Sequence, residues 1–382
     1  MKISVITCHC PHNYGAVLQA VGLQRWLLGR GVDAEVIDYR PDSLLRRPRP
    51  AYLVRCQRLG YVGDAHLGRN PLLRLLYLAA SFPFRLRRRS VFARFLRREL
   101  RCTPECYSDC DSLRRNPPRA DRYICGSDQI WNTDLPNGRD EAYCLSFVAD
   151  PARRNAYAAS VAVRLARESA GAAFLLPRLA LFHSLSVRED TTAALLSSWL
   201  GRPVRQTVDP VFLLRAEEWD EIAARDAHPL PAQPYVLTYP MGDGRSVFPV
   251  AEAVARAAGL PLYAVSFSLR RHPAVDRQFR ASSPGRFLQL VRGASYVVSN
   301  SFHGTAFALI YRRDFWACGI PGTGDRIGSL LRLAGLENRF VAPEADLSPA
   351  ELLRPVDYGR AVPRLQRAVA SSEEFLERII HG

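Results

Sequence analysis

Lysine is almost missing from this 382-residue chain: Lys2 stands alone, and the other 51 of the 52 basic residues are arginine. No CxxC pair occurs among the nine cysteines, an odd number without a secretory segment, so free thiols in a reducing cytoplasm are expected. Cys102, Cys106 and Cys110 recur at four-residue spacing, and Cys8, His9, Cys10 and His12 crowd one loop. Neither grouping has paired zinc-ligand spacing, so no metal is expected. Met1 to Thr7 reaches polar residues too soon for the apolar core of a signal peptide. The charge-free window Gly293 to Tyr311 is broken by Ser295, Ser299, Asn300, Ser301, His303 and Thr305, which excludes a spanning helix there. Neither GxGxxG nor GxxxxGK[ST] is present, so a dinucleotide fingerprint and a Walker loop are both unsupported.

With 48% hydrophobic and 23% charged residues, the chain has the composition of a globular protein, and its length favours two domains. The net charge of +15 is concentrated. Arg46 to Arg101 holds fifteen arginines against Asp64 and Glu99, or +13. No nucleic-acid module accompanies these arginines, and no specific nucleic acid is expected. Leu72, Leu73, Leu75, Leu76, Leu78, Phe82, Phe84, Phe92 and Phe95 are interleaved with them. That composition suits either helices packed on the first domain with solvated arginines or an interfacial helix on an anionic bilayer. Pro83 is expected to prevent one continuous helix.

Apolar runs at Ile3–Thr7 and Ala34–Tyr39 flank a helical pattern at Ala16–Leu28, which gives a βαβ unit. Strands are expected again at Tyr123–Cys125, Asn155–Ala159 and Leu185–Val187. The same logic restarts at Tyr235–Tyr239, with a glycine loop at Gly242–Gly244, and runs on through Tyr296–Ser299, the helix Phe302–Tyr311 and the helix Arg326–Ala334. The expected fold class is α/β, two Rossmann-like domains. The first spans 1–227 with a basic helical insert at about 41–119, 228–234 is a linker, the second domain spans 235–360, and 361–382 is a C-terminal helix.

Open α/β sheets bind ligands at the carboxyl ends of their strands. Four stretches fall there. Asn13, Tyr14 and Gly15 join the first strand to the first helix. Gly126, Ser127, Asp128, Gln129, Trp131 and Asn132 follow the strand Tyr123–Cys125; Trp131 suits either stacking on a substrate ring or anchorage in the core. Arg188 and Glu189 end a third strand, with Arg188 at a mouth position as an anion clamp or an ion pair. Ser301, His303, Gly304 and Thr305 open a helix, whose N-terminus favours anions. His303 is expected to face solvent in that first turn.

NYGAVLQA (13–20), GSDQIWN (126–132), YAAS (157–160), SVRE (186–189), DPVFLL (209–214) and SFHGTAFALI (301–310) together resemble the polysaccharide pyruvyl transferase family, as does GDRIGSLLRLAGLENR (324–339). The resemblance implies two domains like the glycosyltransferase type B (GT-B) fold, phosphoenolpyruvate as co-substrate, a sugar acceptor on which pyruvate ends as a cyclic ketal, and no organic cofactor or metal. It implies His303 as general acid and Arg188 as donor clamp. Ser301, Gly304, Thr305 and Arg326 would serve the donor side, and the Asn13–Gly15 and Gly126–Asn132 loops with Glu189 the acceptor or cleft. Asp128 and Glu189 are candidate bases. The family's arginine two residues before the histidine is replaced by Ser301, which leaves open a GT-B-like glycosyltransferase using a nucleotide sugar; a non-catalytic glycan-assembly partner also stays open. The expected location is cytoplasmic, with peripheral contact at the inner face of the cytoplasmic membrane where a lipid-linked acceptor would lie.

Overall fold

The computed structural model describes residues 1–44, 71–135, 137–162, 165–226, 228–242, 244–319, 325–342, 345 and 347–382, with 71–78 as backbone alone. Arg46 to Arg69 and the Leu72–Leu78 side chains of the arginine-rich region lie outside the described set.

Two wholly parallel sheets carry the fold. In the first, β1 (Lys2–Ile6), β2 (Asp33–Tyr39), β3 (Cys102–Tyr107), β4 (Arg122–Cys125), β5 (Arg154–Ala159), β6 (Ser184–Val187) and β7 (Arg205–Gln206) lie in the order β3-β2-β1-β4-β5-β6-β7. In the second, β8 (Val236–Tyr239), β9 (Leu262–Val265), β10 (Arg277–Phe279), β11 (Tyr296–Ser299), β12 (Asp314–Cys318) and β13 (Phe340–Val341) lie in the order β10-β9-β8-β11-β12-β13. The central strands are buried on both faces, as near-continuous apolar runs in a parallel sheet should be. Strand order reverses between β1 and β4 in one sheet and between β8 and β11 in the other, and such switch points open crevices at the strands' carboxyl ends.

The region expected as helical insert contains more than helices. One helix runs from Pro71 to Glu99, straight through Pro83. A proline removes one helical hydrogen bond, and the carbonyl it frees belongs to Ala79, whose residue is exposed and within reach of water. CTPECY then forms edge strand β3. Its Pro104 and Glu105 obscure the strand pattern, yet proline is tolerated at an edge, where one side of the backbone needs no ladder.

The two domains share an apolar core. Tyr14 is fully buried, stacks on Phe287 of the second domain with ring centroids 4.6 Å apart, and donates through its hydroxyl to the Ser282 carbonyl. The final helix, Tyr358–His381, returns to the first domain: Trp26 Nε1 and Arg30 bond Glu373, Ser372 Oγ accepts from Val208 N, and Phe375 packs near Tyr157. These contacts hold the two switch points face to face.

Candidate functional site

The helix Tyr14–Gly29 starts at the β1 switch point because Asn13 caps it, its Oδ1 accepting from Gly15 N and Ala16 N. The helix Phe302–Ile310 starts at the other switch point, where Ser301 Oγ accepts from Gly304 N and Thr305 Oγ1 donates to the Ser301 carbonyl. The two helix starts meet. A Cβ built on Gly15 would lie 1.9 Å from His303 Nδ1, so only glycine leaves room for the imidazole. His303 is therefore 5% exposed in the seam between domains, and not solvent-facing as the sequence suggested, because the first domain covers its turn.

Beneath His303 lies a buried charge cluster. Asp209, at the start of DPVFLL, is 1% exposed; its Oδ1 accepts from Val211 N at 3.1 Å. Its Oδ2 accepts from Arg188 Nη1 at 2.5 Å and Ser127 Oγ at 2.9 Å, and His303 Nε2 stands 3.4 Å away. Arg188 lies over the Phe302 ring, Cζ 4.0 Å from its centroid, with Nε 3.5 Å from Glu189 Oε1. Burial pushes the Asp209 carboxyl up, but the His303 imidazole and the Arg188 guanidinium outweigh it and hold the group well below the ordinary carboxylate range. Burial pulls the Arg188 guanidinium down, and the facing Asp209, Glu189 and Asp128 carboxylates more than restore it.

Arg188 is thus at the floor of the seam and not at its mouth, since an arginine beside a buried aspartate is drawn inward. It remains only partly satisfied. Arg188 Nη2 and Glu189 Oε2 are buried without a hydrogen-bond partner among the described residues, and His303 Nε2 and Arg188 Nε have only the long contacts to Asp209 and Glu189. Buried polar atoms are rarely left so, and this set marks the cluster as a candidate ligand site.

The remaining expected residues divide between cleft and frame. Ser127 bonds Asp209; Asp128 adopts a left-handed φ of 69°, and its carbonyl accepts from Ser160 N. Ala158 and Ala162 share that unusual backbone region at the same strand ends, and strain of this kind gathers where surroundings over-determine the chain. Ser160 Oγ donates to Glu189 Oε1 at 2.5 Å. Gly126 packs so closely on Thr7 that a Cβ would lie 2.9 Å from the threonine Cβ. Gln129 and Asn132 bond each other. Gly304 sits against Ser299, whose Oγ would be 2.5 Å from an added Cβ.

Trp131 is fully buried, with Nε1 on the Tyr143 carbonyl and its ring against Phe182; it anchors the core and is closed to a substrate. Tyr14, expected at the cleft, is likewise consumed by domain packing. Arg326 opens the helix Arg326–Ala334, which docks on the first domain beside Glu189, through Ser329 and Arg332 on the adjacent Asp190. The residues missed by sequence reasoning are Asp209 and Ser160. DPVFLL and YAAS were the available signals, but a strand-end aspartate before proline reads first as a turn.

Two facing parallel α/β domains with a charged cluster in the seam define a GT-B-type fold. Solved structures agree at the level of fold alone. UDP-GlcNAc 2-epimerase from Methanocaldococcus jannaschii aligns over 100% of both chains with a TM-score of 0.52 and 10% identity. The enzyme from Neisseria meningitidis, bound to UDP-GlcNAc, aligns over 100% of this chain and 99% of its own, with a TM-score of 0.51 and 11% identity. No curated protein matches by sequence. The profile described as Polysaccharide pyruvyl transferase matches residues 13–320, and the chain belongs to that family of transferases.

Two expectations follow from the cluster. Gly15→Ala should displace the His303 ring and lower activity about 100-fold, as misplacements near 1 Å do, with the fold retained by circular dichroism. Asp209→Asn should destabilise the protein by about 3–5 kcal/mol at pH 7, because Arg188 is left buried without its counter-charge. With the carboxyl held low in the folded state, its contribution is complete well above the unfolded value of about 4 and is lost as pH falls towards the folded one. Urea unfolding at pH 7 and near pH 3 should therefore give a smaller gap between the two proteins at the lower pH.

Proposed function

We propose that this chain transfers the pyruvyl group of phosphoenolpyruvate to two hydroxyls of a sugar in a cell-surface polysaccharide or its precursor, forming a ketal. The observation that carries this reading is the set of under-satisfied buried atoms on Arg188, Glu189 and His303, a cationic fork and an imidazole beside a carboxylate with one oxygen free of hydrogen bonds. Arg188 would hold the donor's carboxylate or phosphate through Nε and Nη2. His303 would deliver a proton to the methylene carbon, leaving an oxocarbenium-like centre that the first sugar hydroxyl attacks. The second hydroxyl closes the ketal as the C–O bond to phosphate breaks. Of the two hydroxyl protons released, one replaces that given by His303 and the other leaves with phosphate.

Glu189 suits the base role better than Asp209. Asp209 already faces Arg188, Ser127, Val211 N and His303 and is held strongly anionic, so it is a weak proton acceptor that positions the other two. Glu189 keeps Oε2 without a partner. A nucleotide-sugar donor is the second reading. Ser301 favours it, since its hydroxyl caps the helix and brings no charge where the family's arginine would.

Phosphate release from phosphoenolpyruvate with candidate lipid-linked sugars tests the reaction. Wild type should turn over, and His303→Ala should lose about 10²–10⁴ in rate. Release of a nucleoside phosphate from nucleotide sugars with no phosphate from phosphoenolpyruvate, or full activity of a folded His303→Ala protein, contradicts the assignment.

The acceptor would be met at a membrane surface. On the helix Pro71–Glu99, Phe82, Phe84 and Leu86 are 58, 43 and 50% exposed, and Arg85, Arg87 and Arg89 are exposed among them. This ledge adjoins the seam: Arg88 lies 3.6 Å above Phe267 of the second domain, and Phe92 packs on Tyr14. No described helix is long and apolar enough to cross a membrane. Arginines interleaved with aromatic side chains suit peripheral binding, at about 1 kcal/mol for each arginine near an anionic surface. Sedimentation with phosphatidylglycerol vesicles should exceed that with phosphatidylcholine and fall with salt. Equal and negligible binding to both leaves the ledge without this role.

A further inference from the structure

The cysteines that lack zinc spacing along the chain come together in the fold. Cys8, His9 and Cys10 follow β1, and Cys102 and Cys106 lie on the edge strand β3, with Asp38 on β2 between them. His9, Asp38 and Cys102 each present one ligand atom, and these three atoms lie within 4.8 Å of one another. We propose that His9, Asp38 and Cys102 form a binding site for a soft divalent cation, with zinc as the best-fitting ion, that pins the loop between β1 and the first helix to the outer strands.

The chemistry of the donors points this way. One imidazole nitrogen, one carboxylate oxygen and one thiolate are all zinc ligands, and ligands of tetrahedral zinc stand roughly 3.3–3.8 Å apart, so shifts of about 1 Å or less bring atoms that lie within 4.8 Å of one another to that spacing. His9 is 1% exposed, and both its nitrogens face acceptors: Nδ1 is 3.3 Å from the Thr7 carbonyl and Nε2 is 3.0 Å from Asp38 Oδ1. A neutral imidazole has one N–H and cannot serve both. With Nδ1–H on the Thr7 carbonyl, Nε2 presents its lone pair to a carboxylate, and a cation between them removes the conflict. A ligating histidine whose second nitrogen donates to a backbone carbonyl is the usual arrangement at zinc.

The neighbours complete the case. A water can take the fourth position. Arg40 Nε donates to Asp38 Oδ1 at 2.6 Å. In the ion-bound state it remains as the outer partner that orients the carboxylate, while its charge lowers affinity below that of an all-thiolate site. The competing arrangement is an Asp38 carboxylate shared between a charged His9 and Arg40, which takes up no metal.

The two arrangements separate in a titration of the full chain, freed of metal by chelator, with zinc against a chromophoric chelator. One equivalent should bind, and Cys102→Ser and His9→Asn should each weaken binding about 100-fold or more. Zinc should raise the melting temperature of wild type and leave both variants unchanged. Cobalt on wild type supplies a second readout that needs no variant: a thiolate-to-cobalt charge-transfer band and tetrahedral d–d bands are expected. Wild type that binds well under one equivalent, zinc affinity unchanged in both variants, or cobalt spectra without a thiolate band would each overturn the proposal.

Discussion

A carboxylate taken out of water must be paired, and in this protein the pairing of Asp209 dictates where the candidate site forms. Its two oxygens draw Arg188 from β6, Ser127 from the β4 loop, the Val211 amide and His303 from the second domain into one cluster. The neighbours that stabilise it also tie the domains together, since His303 comes from one sheet and Arg188 from the other. Loss of any one partner leaves a buried charge short, so the site and the seam depend on each other. Gly15 and Asn13 follow from the same constraint: the first helix must begin close beside the imidazole, and only a glycine allows the approach.

The surroundings of the cluster are arranged in depth. Gln19 bonds the Thr7 hydroxyl, which donates to the Ser127 carbonyl, so the first helix, β1 and the β4 loop brace the serine that bonds Asp209. The last helix closes the arrangement from below, with Ser372 on the Val208 amide next to Asp209. Rigid support of this kind keeps the donors in place where an anionic ligand would develop charge, which favours electrostatic catalysis over reorganisation.

The fold was largely legible because parallel strands buried on both faces read as apolar runs, and strands such as β1, β8 and β11 carry that signature. Edge strand β3 was not, since CTPECY has a proline and a glutamate and only context makes it a strand. The site was legible as strand ends but not as depth. His303 and Arg188 stood out by type and position, yet both were expected towards solvent, because a sequence does not tell which surface the opposite domain will cover. Tyr14 was read in the same direction, and Trp131 left open between substrate and core: aromatic residues at strand ends equally suit a ligand face and internal packing. Asp209 escaped notice because its partners lie 21, 82 and 94 positions away in the chain, and long-range ion pairs leave no local pattern.

The most direct test of the account is donor affinity in a protein that keeps the cluster's charge but not its fork. Calorimetric titration of phosphoenolpyruvate into wild type and Arg188→Lys supplies it, since lysine still neutralises Asp209 but lacks Nε and Nη2. A charge-assisted contact is worth about 1.5–3 kcal/mol, so affinity should fall roughly 10- to 150-fold with the fold unchanged. Equal affinity in the two folded proteins would contradict the assignment of the seam as the donor site.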